Sequence, residues 1–183
     1  MLLNSSPQTS LSRVGDFTKF MTSLNPVKQL EICASTDDCI FGGYPTLAEV
    51  KRDYGSNAAT AWLIPQLFDL SEFCGCKGKI TDEQMRQVAT IIANTYYYLK
   101  VSELMLFFYR FKQGRYGRFY GSIDPLVITT SLIQFVRERN DEIARHDAEE
   151  QQRRDEADKR NPRNMTLEEW KEKMRQQGIK TNL

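Results

Sequence analysis

The sequence predicts an all-α fold, a compact helical bundle with a polar helical C-terminal extension. Three observations predict it. Apolar residues recur at spacings of three and four in one segment after another, as in Met85, Val88, Ile92, Tyr96 and Leu99, then Val101, Leu104, Met105, Phe108 and Phe111. Helix-starting chemistry stands in front of several of these segments: Thr46 with Glu49, Thr81 with Gln84, and Asp124-Pro125. No segment alternates with period two for long enough to make a strand.

In chain order, residues 1–14 are rich in Ser, Asn, Thr and Gln and are expected to be a flexible leader. Phe17, Phe20, Met21 and Leu24 have helical spacing up to the stop at Asn25-Pro26; Val27 to Ile32 fits a short helix or an extended piece. Cys33 to Gly43 has loop composition. Thr46 caps a short helix, Leu47 to Tyr54, which Gly55 ends. The segment 58–74 has a buried face of Trp62, Leu63, Leu67, Leu70 and Phe73, and Pro65 inside it predicts a kink or two helices. Thr81 opens an amphipathic helix of about five turns. The next helix carries the stripe from Val101 to Phe111 and ends at Gly114. Asp124-Pro125 starts another, with Ile128, Leu132, Phe135, Val136 and Ile143 as its buried face. Beyond Ile143 the chain is almost wholly polar: it could continue as a solvated helix held by pairs four apart, such as Glu149 with Arg153, but a frayed solvated extension is the plainer reading. Thr166 caps a last helix, Leu167 to Gln177, bearing Trp170 and Met174. The expected organisation is a leader (1–14), a helical domain (15–143) and a charged tail (144–183).

Composition narrows the function classes. Twenty-five Lys and Arg face 24 Asp and Glu, for a net charge of +1, so the chain as a whole is no polycation for nucleic acid or membrane. The opening residues lack a positive n-region and an apolar h-region, and the most apolar stretch, Ile91 to Phe111, is interrupted by Lys100 and Glu103. The expected setting is cytoplasmic, with no membrane partner.

Charge does concentrate locally. From Lys100 to Tyr120 the cations Lys100, Arg110, Lys112, Arg115 and Arg118 face a single acid, Glu103. The loop GRYGRFYG offers Arg forks for phosphate, Tyr and Phe faces for stacking, and glycines for close approach. The candidate binding residues are Arg110, Lys112, Arg115, Tyr116, Arg118 and Tyr120. Glycines at 114, 117 and 121 match neither GxGxxG nor the Walker pattern, so a nucleotide-phosphate loop is not expected. The other readings are a packed interhelical turn and a protein-partner surface.

Four cysteines, Cys33, Cys39, Cys74 and Cys76, form two loop-borne pairs that could close on a structural zinc, although neither spacing is a CxxC knuckle. Four unrelated thiols is the plainer reading, and we assign none of them as a ligand. His146, the only histidine, lies in the charged helix without a nucleophile fixed beside it. With HExxH, GxSxG and paired catalytic carboxylates absent, we expect no enzyme and no cofactor.

The stretches PTLAEV (45–50), WLIPQLFDLSEFCG (62–75) and KVSELMLFFYRFKQGRYGRFYGSIDPLVITTSL (100–132) resemble an uncharacterised family of small proteins of gut anaerobes associated with mobile elements. The resemblance covers about residues 33 to 140. GRYGRFYGSIDPL also resembles the C-terminal part of phage and plasmid replication accessory proteins of the helicase-loader kind. These likenesses imply a non-catalytic accessory protein in DNA replication or maintenance, contacting DNA or a replication protein through the basic aromatic turn. The alternative is a protein–protein adaptor using the charged helix Asp141–Arg160 and Trp170, with the turn purely structural.

Overall fold

The N–H groups of a helix's first turn have no partner within the helix, and this requirement organises the centre of the chain. A computed structural model describes residues 10–75, 80–117, 124–160 and 167–176. In chain order these form α1 (Ser10–Ser23), a 3₁₀ turn (Pro26–Lys28), α2 (Gln29–Ile32), α3 (Thr36–Phe41), α4 (Leu47–Tyr54), α5 (Ala58–Cys74), α6 (Asp82–Thr95), α7 (Val101–Lys112), α8 (Pro125–Arg160) and α9 (Leu167–Gln176). The described residues are helical with no strand, as the sequence predicts; one isolated bridge pairs Thr46 with Lys100. None of the described helices is long and apolar enough to cross a membrane. The chain divides into two units, residues 1–137 and 138–183.

In the first unit, α7 is the central element. Ten of its 12 residues are buried, so it has no solvent-facing stripe and other helices must surround it. It packs against α2, α3 and α5, while α5 also packs on α4 and α6. Phe107 joins Phe108, Phe111 and Phe135 at ring separations of 5.1–5.8 Å. Trp62, Leu63, Leu67 and Leu70 of α5 complete the core. On the other side of α5, Phe20 of α1 meets Tyr54 and Trp62.

The N-termini of α4 and α7 satisfy each other. Leu47 and Ala48, the first residues of α4, donate to the carbonyls of Leu99 (2.9 Å) and Tyr97 (2.8 Å), and Val101, the first of α7, donates to Pro45 O (2.9 Å). The acceptors are presented by a turn at residues 96–99, in which Leu99 N closes on Tyr96 O (3.0 Å). For this reason α6 stops at Thr95 instead of running five turns to Leu99, and Tyr97 and Tyr98 are left exposed.

Three of the predicted caps form, and Thr166 lies outside the described residues. Thr46 with Glu49 and Thr81 with Gln84 make complete capping boxes, and the Asp124 carboxylate accepts from Leu126 N at 2.8 Å. Other elements differ from expectation. Helix α1 begins at Ser10, inside the stretch assigned to a leader. The loop expected at 33–43 contains α3, capped by Ser35 Oγ accepting from Asp38 N at 3.1 Å. Helix α5 is continuous through Pro65: the ring removes one hydrogen bond, and the buried Trp62, Leu63, Gln66 and Leu67 hold both sides in register. Phe73, expected in the core, is 62% exposed. The core-facing position in that part of α5 is taken by Ser71 instead.

In the second unit, α8 continues as a helix to Arg160. Its support is local: Arg154 pairs with Glu150 (3.0 Å), and Gln151 and Gln152 donate to Asp155 and Glu156. The predicted Glu149–Arg153 contact is to the backbone, Arg153 Nε to Glu149 O at 3.4 Å. Helix α9 carries acids in its first turn and bases in its last, which suits the helix dipole. Trp170 and Met174 are half-buried four residues apart.

Candidate functional site

Helix α7 ends in a Schellman arrangement. Gly114 N donates to Phe111 O (2.9 Å) and Arg115 N to Arg110 O (3.2 Å), with Gly114 at φ 76°, a left-handed conformation that glycine adopts without a Cβ penalty. Gly117 N then closes a further turn on Gly114 O (3.2 Å) at φ 108°. The glycines of GRYG thus terminate a helix, which is ordinary work for them.

The cations of this stretch go in different directions. Lys100 sends its ammonium to Ile40 O (2.7 Å) and Gly42 O (2.8 Å), the carbonyls that end α3. Arg110 is 5% exposed, with its guanidinium carbon 5.7 Å from the Phe135 ring centroid. Lys112 donates to Gln29 Oε1 (2.8 Å), pairs with Asp69 and lies 5.8 Å from the Phe73 centroid. Tyr116 is half-buried, its ring 5.6 Å from Phe107 and 6.1 Å from Phe111. Arg115 is exposed. Arg118 and Tyr120 lie outside the described residues. Of the six candidate binding residues, then, three are turned into the fold and one is on the surface. Among the described residues they do not converge on one face.

Two arrangements escape sequence-local reading. The first is a buried polar chain: Gln29 Nε2 donates to Gln66 Oε1 (2.8 Å), while Gln66 Nε2 and Trp62 Nε1 both donate to Leu24 O (2.9 Å each). Lys112 extends it to the surface through Gln29. A glutamine four residues after a core tryptophan was the available signal. The second is a pair of thiols. Cys33 and Cys39 are both buried, and Cys39 Sγ donates to Ile32 O at 3.4 Å. Cys74 is half-buried at the end of α5 and Cys76 lies outside the described residues. Among the described residues, no three Cys, His, Asp or Glu side chains are grouped to hold a metal.

Between α1 and α4 there is a groove of about 640 Å³ lined by Asp16, Lys19, Arg52 and Asp53. Its charges are mixed, and Arg52 is paired with the adjacent Asp53 at 2.8 Å, which holds that carboxyl below its usual range. The polar half of α8 and Trp170 on α9 provide the other surface. Glu138, Glu142 and His146 are half-buried at intervals of four, and His146 Nδ1 is 3.8 Å from Asp147 Oδ1.

Residues 79–181 match the Family of unknown function (DUF6633). This match starts later than the resemblance read from residues 33–140 and runs further, through α8 and α9. No curated protein and no solved structure matches the chain.

Proposed function

The chain belongs to the DUF6633 family, and from that premise we propose that it is a non-catalytic protein–protein adaptor. It recruits its partner through the polar face of α8 beyond Asp141 and through Trp170 of α9. One observation carries this reading: Arg110, Lys112 and Tyr116 are committed inside the first unit, whereas the family match continues through the polar tail to residue 181. A helix of charged residues with Ile143 as its only large apolar residue after Phe135 and Val136 buries little of its own surface. Its exposed charges suit rim contacts, and an indole supplies a centre that can anchor an interface. The partner this fits has complementary charge around one apolar slot. The test is co-purification with the full-length chain, with a chain ending at Asn140, and with Trp170→Ala in the full chain. Retention by the full chain with loss in both variants supports the proposal; equal retention in all three overturns it.

A second reading rests on the exposed Arg115. In it, the chain is an accessory protein of DNA replication or maintenance on a mobile element, touching DNA through Arg115, Arg118 and Tyr120. Its test is the salt dependence of binding to short single- and double-stranded DNA. Arg115→Ala with Arg118→Ala should lower affinity and flatten the salt slope by about one to two charges. An unchanged slope removes it.

A further inference from the structure

Helix α8 carries two stripes. The first, Ile128, Leu132 and Phe135, is buried in the first unit. The second is Leu126, Thr129, Ile133, Val136, Asn140 and Ile143, which follow one another at spacings of three, four, three, four and three on the same helix. That alternation puts all six on one face, and it is the seam pattern of a two-stranded coiled coil. The face lies about a third of a turn away from the buried one, at 3.6 residues per turn. None of the six is buried. Leu126 is 70% and Ile133 44% exposed, Asn140 is exposed, and Thr129, Val136 and Ile143 are half-buried. Apolar residues left in water at this spacing, in a helix that is otherwise polar outside the core, mark a surface for another helix.

We infer that this face is a self-association surface, on which α8 of a second copy of the chain packs antiparallel across a two-fold axis. In that register Leu126 meets Ile143 of the second copy, Thr129 meets Asn140, and Ile133 meets Val136; the two-fold repeats each pair. Apolar residues thus meet apolar ones, and the two polar residues meet each other. The polar layer is also complementary in hydrogen bonding. Thr129 Oγ1 donates its proton to Leu126 O (3.0 Å), so its oxygen serves as an acceptor. Arg139 donates to Asn140 Oδ1 (3.1 Å), and the Asn140 N–H groups supply the donor. A lone Asn in an apolar seam fixes its register. A parallel pair would be worse on two counts. Thr129 would meet Thr129, acceptor against acceptor. The seam would also run on into Asp147 and Glu150, each against its own copy and its own charge. In the antiparallel pair Asp147 falls past Pro125 of the second copy, where α8 begins, so the like charges never meet. The contact strip is about 27 Å long, at 1.5 Å per residue, and is short for a standard interface; the dimer is therefore reversible and forms with rising concentration. The surface makes no use of Trp170 and does not rest on the adaptor reading.

The test uses the purified full-length chain with no other protein present. Sedimentation equilibrium over a concentration series should show the mass of one chain passing to that of two. Ile133→Asp places two carboxylates at the centre of the seam and should weaken the dimer more than about a hundredfold. Ile133 is half-exposed in the single chain, so the variant's urea midpoint should stay near wild type. If Ile133→Asp does not fold, Asn140→Asp decides: it removes the donor at an exposed position and should weaken the dimer about tenfold. Orientation is read by a photo-crosslinker, Leu126→p-benzoylphenylalanine, followed by tryptic digestion. Ile143 falls in peptide 140–145 and Leu126 in peptide 119–137. Positions 126 and 143 of one helix are about 25 Å apart, so a link from 126 to peptide 140–145 joins two copies and supports the antiparallel pair. A chain that stays single at every concentration overturns the proposal. So does a dimer that the folded variants leave unchanged, and so does a link from 126 to peptide 119–137.

Discussion

Replacing Lys112 by methionine separates a surface cation from a structural one. Methionine keeps the apolar stem and removes the ammonium. In the wild type that ammonium donates to Gln29 Oε1 at 2.8 Å and pairs with Asp69. Gln29 is 2% exposed, so its oxygen loses a donor where water cannot readily replace it, a loss of about 1–3 kcal/mol. Asp69 has a side chain 37% exposed and rehydrates, which limits the ion-pair contribution to about 1 kcal/mol or less. The contact with the exposed Phe73 ring adds about 0.5 kcal/mol. The expected loss is about 1.5–4.5 kcal/mol, measured by urea denaturation as a lower midpoint with an unchanged m-value. Arg115→Ala, at an exposed position, should stay within about 0.5 kcal/mol of wild type. If Lys112→Met is as neutral as Arg115→Ala, Lys112 is a solvated charge, and the basic turn regains a member as a binding surface.

Further outcomes follow from the same geometry. Gly42→Ala would place a Cβ 2.2 Å from the Asp38 carbonyl oxygen and should cost about 1–3 kcal/mol, whereas Gly43→Ala meets nothing within 4 Å; thermal melts of the two variants should separate accordingly. Trp62→Phe and Gln66→Leu each remove one of two donors to Leu24 O, so a double-mutant cycle in urea should show a coupling of at least about 0.5 kcal/mol; strict additivity would count against a shared acceptor. Thr46→Ala should cost about 1 kcal/mol through loss of the α4 cap. The Glu49 carboxyl is held below the usual range chiefly by the Thr46 backbone N–H. Its contribution is therefore present above the unfolded-state pKa, about 4.3, and is lost as pH falls through the lower folded value. Glu49→Gln should flatten the acid limb of the stability–pH curve, and an unchanged limb would show that this cap does not titrate with folding.

How far the sequence could be read depended on the range of each interaction. Capping boxes involve residues three apart, so Thr46 with Glu49 and Thr81 with Gln84 were visible before any tertiary contact was known. The end of α7 was visible for the same reason, since Gly114 closes on Phe111. Long-range partners were not visible. Lys112 reaches Gln29, 83 positions away, and Asp69, 43 away. Counting charge along the chain therefore made a patch out of side chains that leave in different directions. The early end of α6 has the same origin, because the carbonyls of Tyr97 and Leu99 are claimed by the first turn of α4. Helix α3 was missed because Ser35, Asp37 and Asp38 suit a loop and a first helical turn equally well.

These placements also bear on what a binding surface requires in a nearly neutral chain. A cation serves a ligand only if its field reaches solvent and no carbonyl or carboxylate of the fold already consumes it. Lys100 is consumed by the end of α3 and Lys112 by Asp69 and Gln29. Arg110 is 5% exposed, over the Phe135 ring. All three lie on α7 or at its cap, the most enclosed element of the first unit, where a solvated charge would leave a hole in the packing. Lys100 and Lys112 are thus accounted for by burial: a helix enclosed on nearly every side meets backbone carbonyls and acids of its neighbours, and long cationic side chains are the groups that can reach and satisfy them.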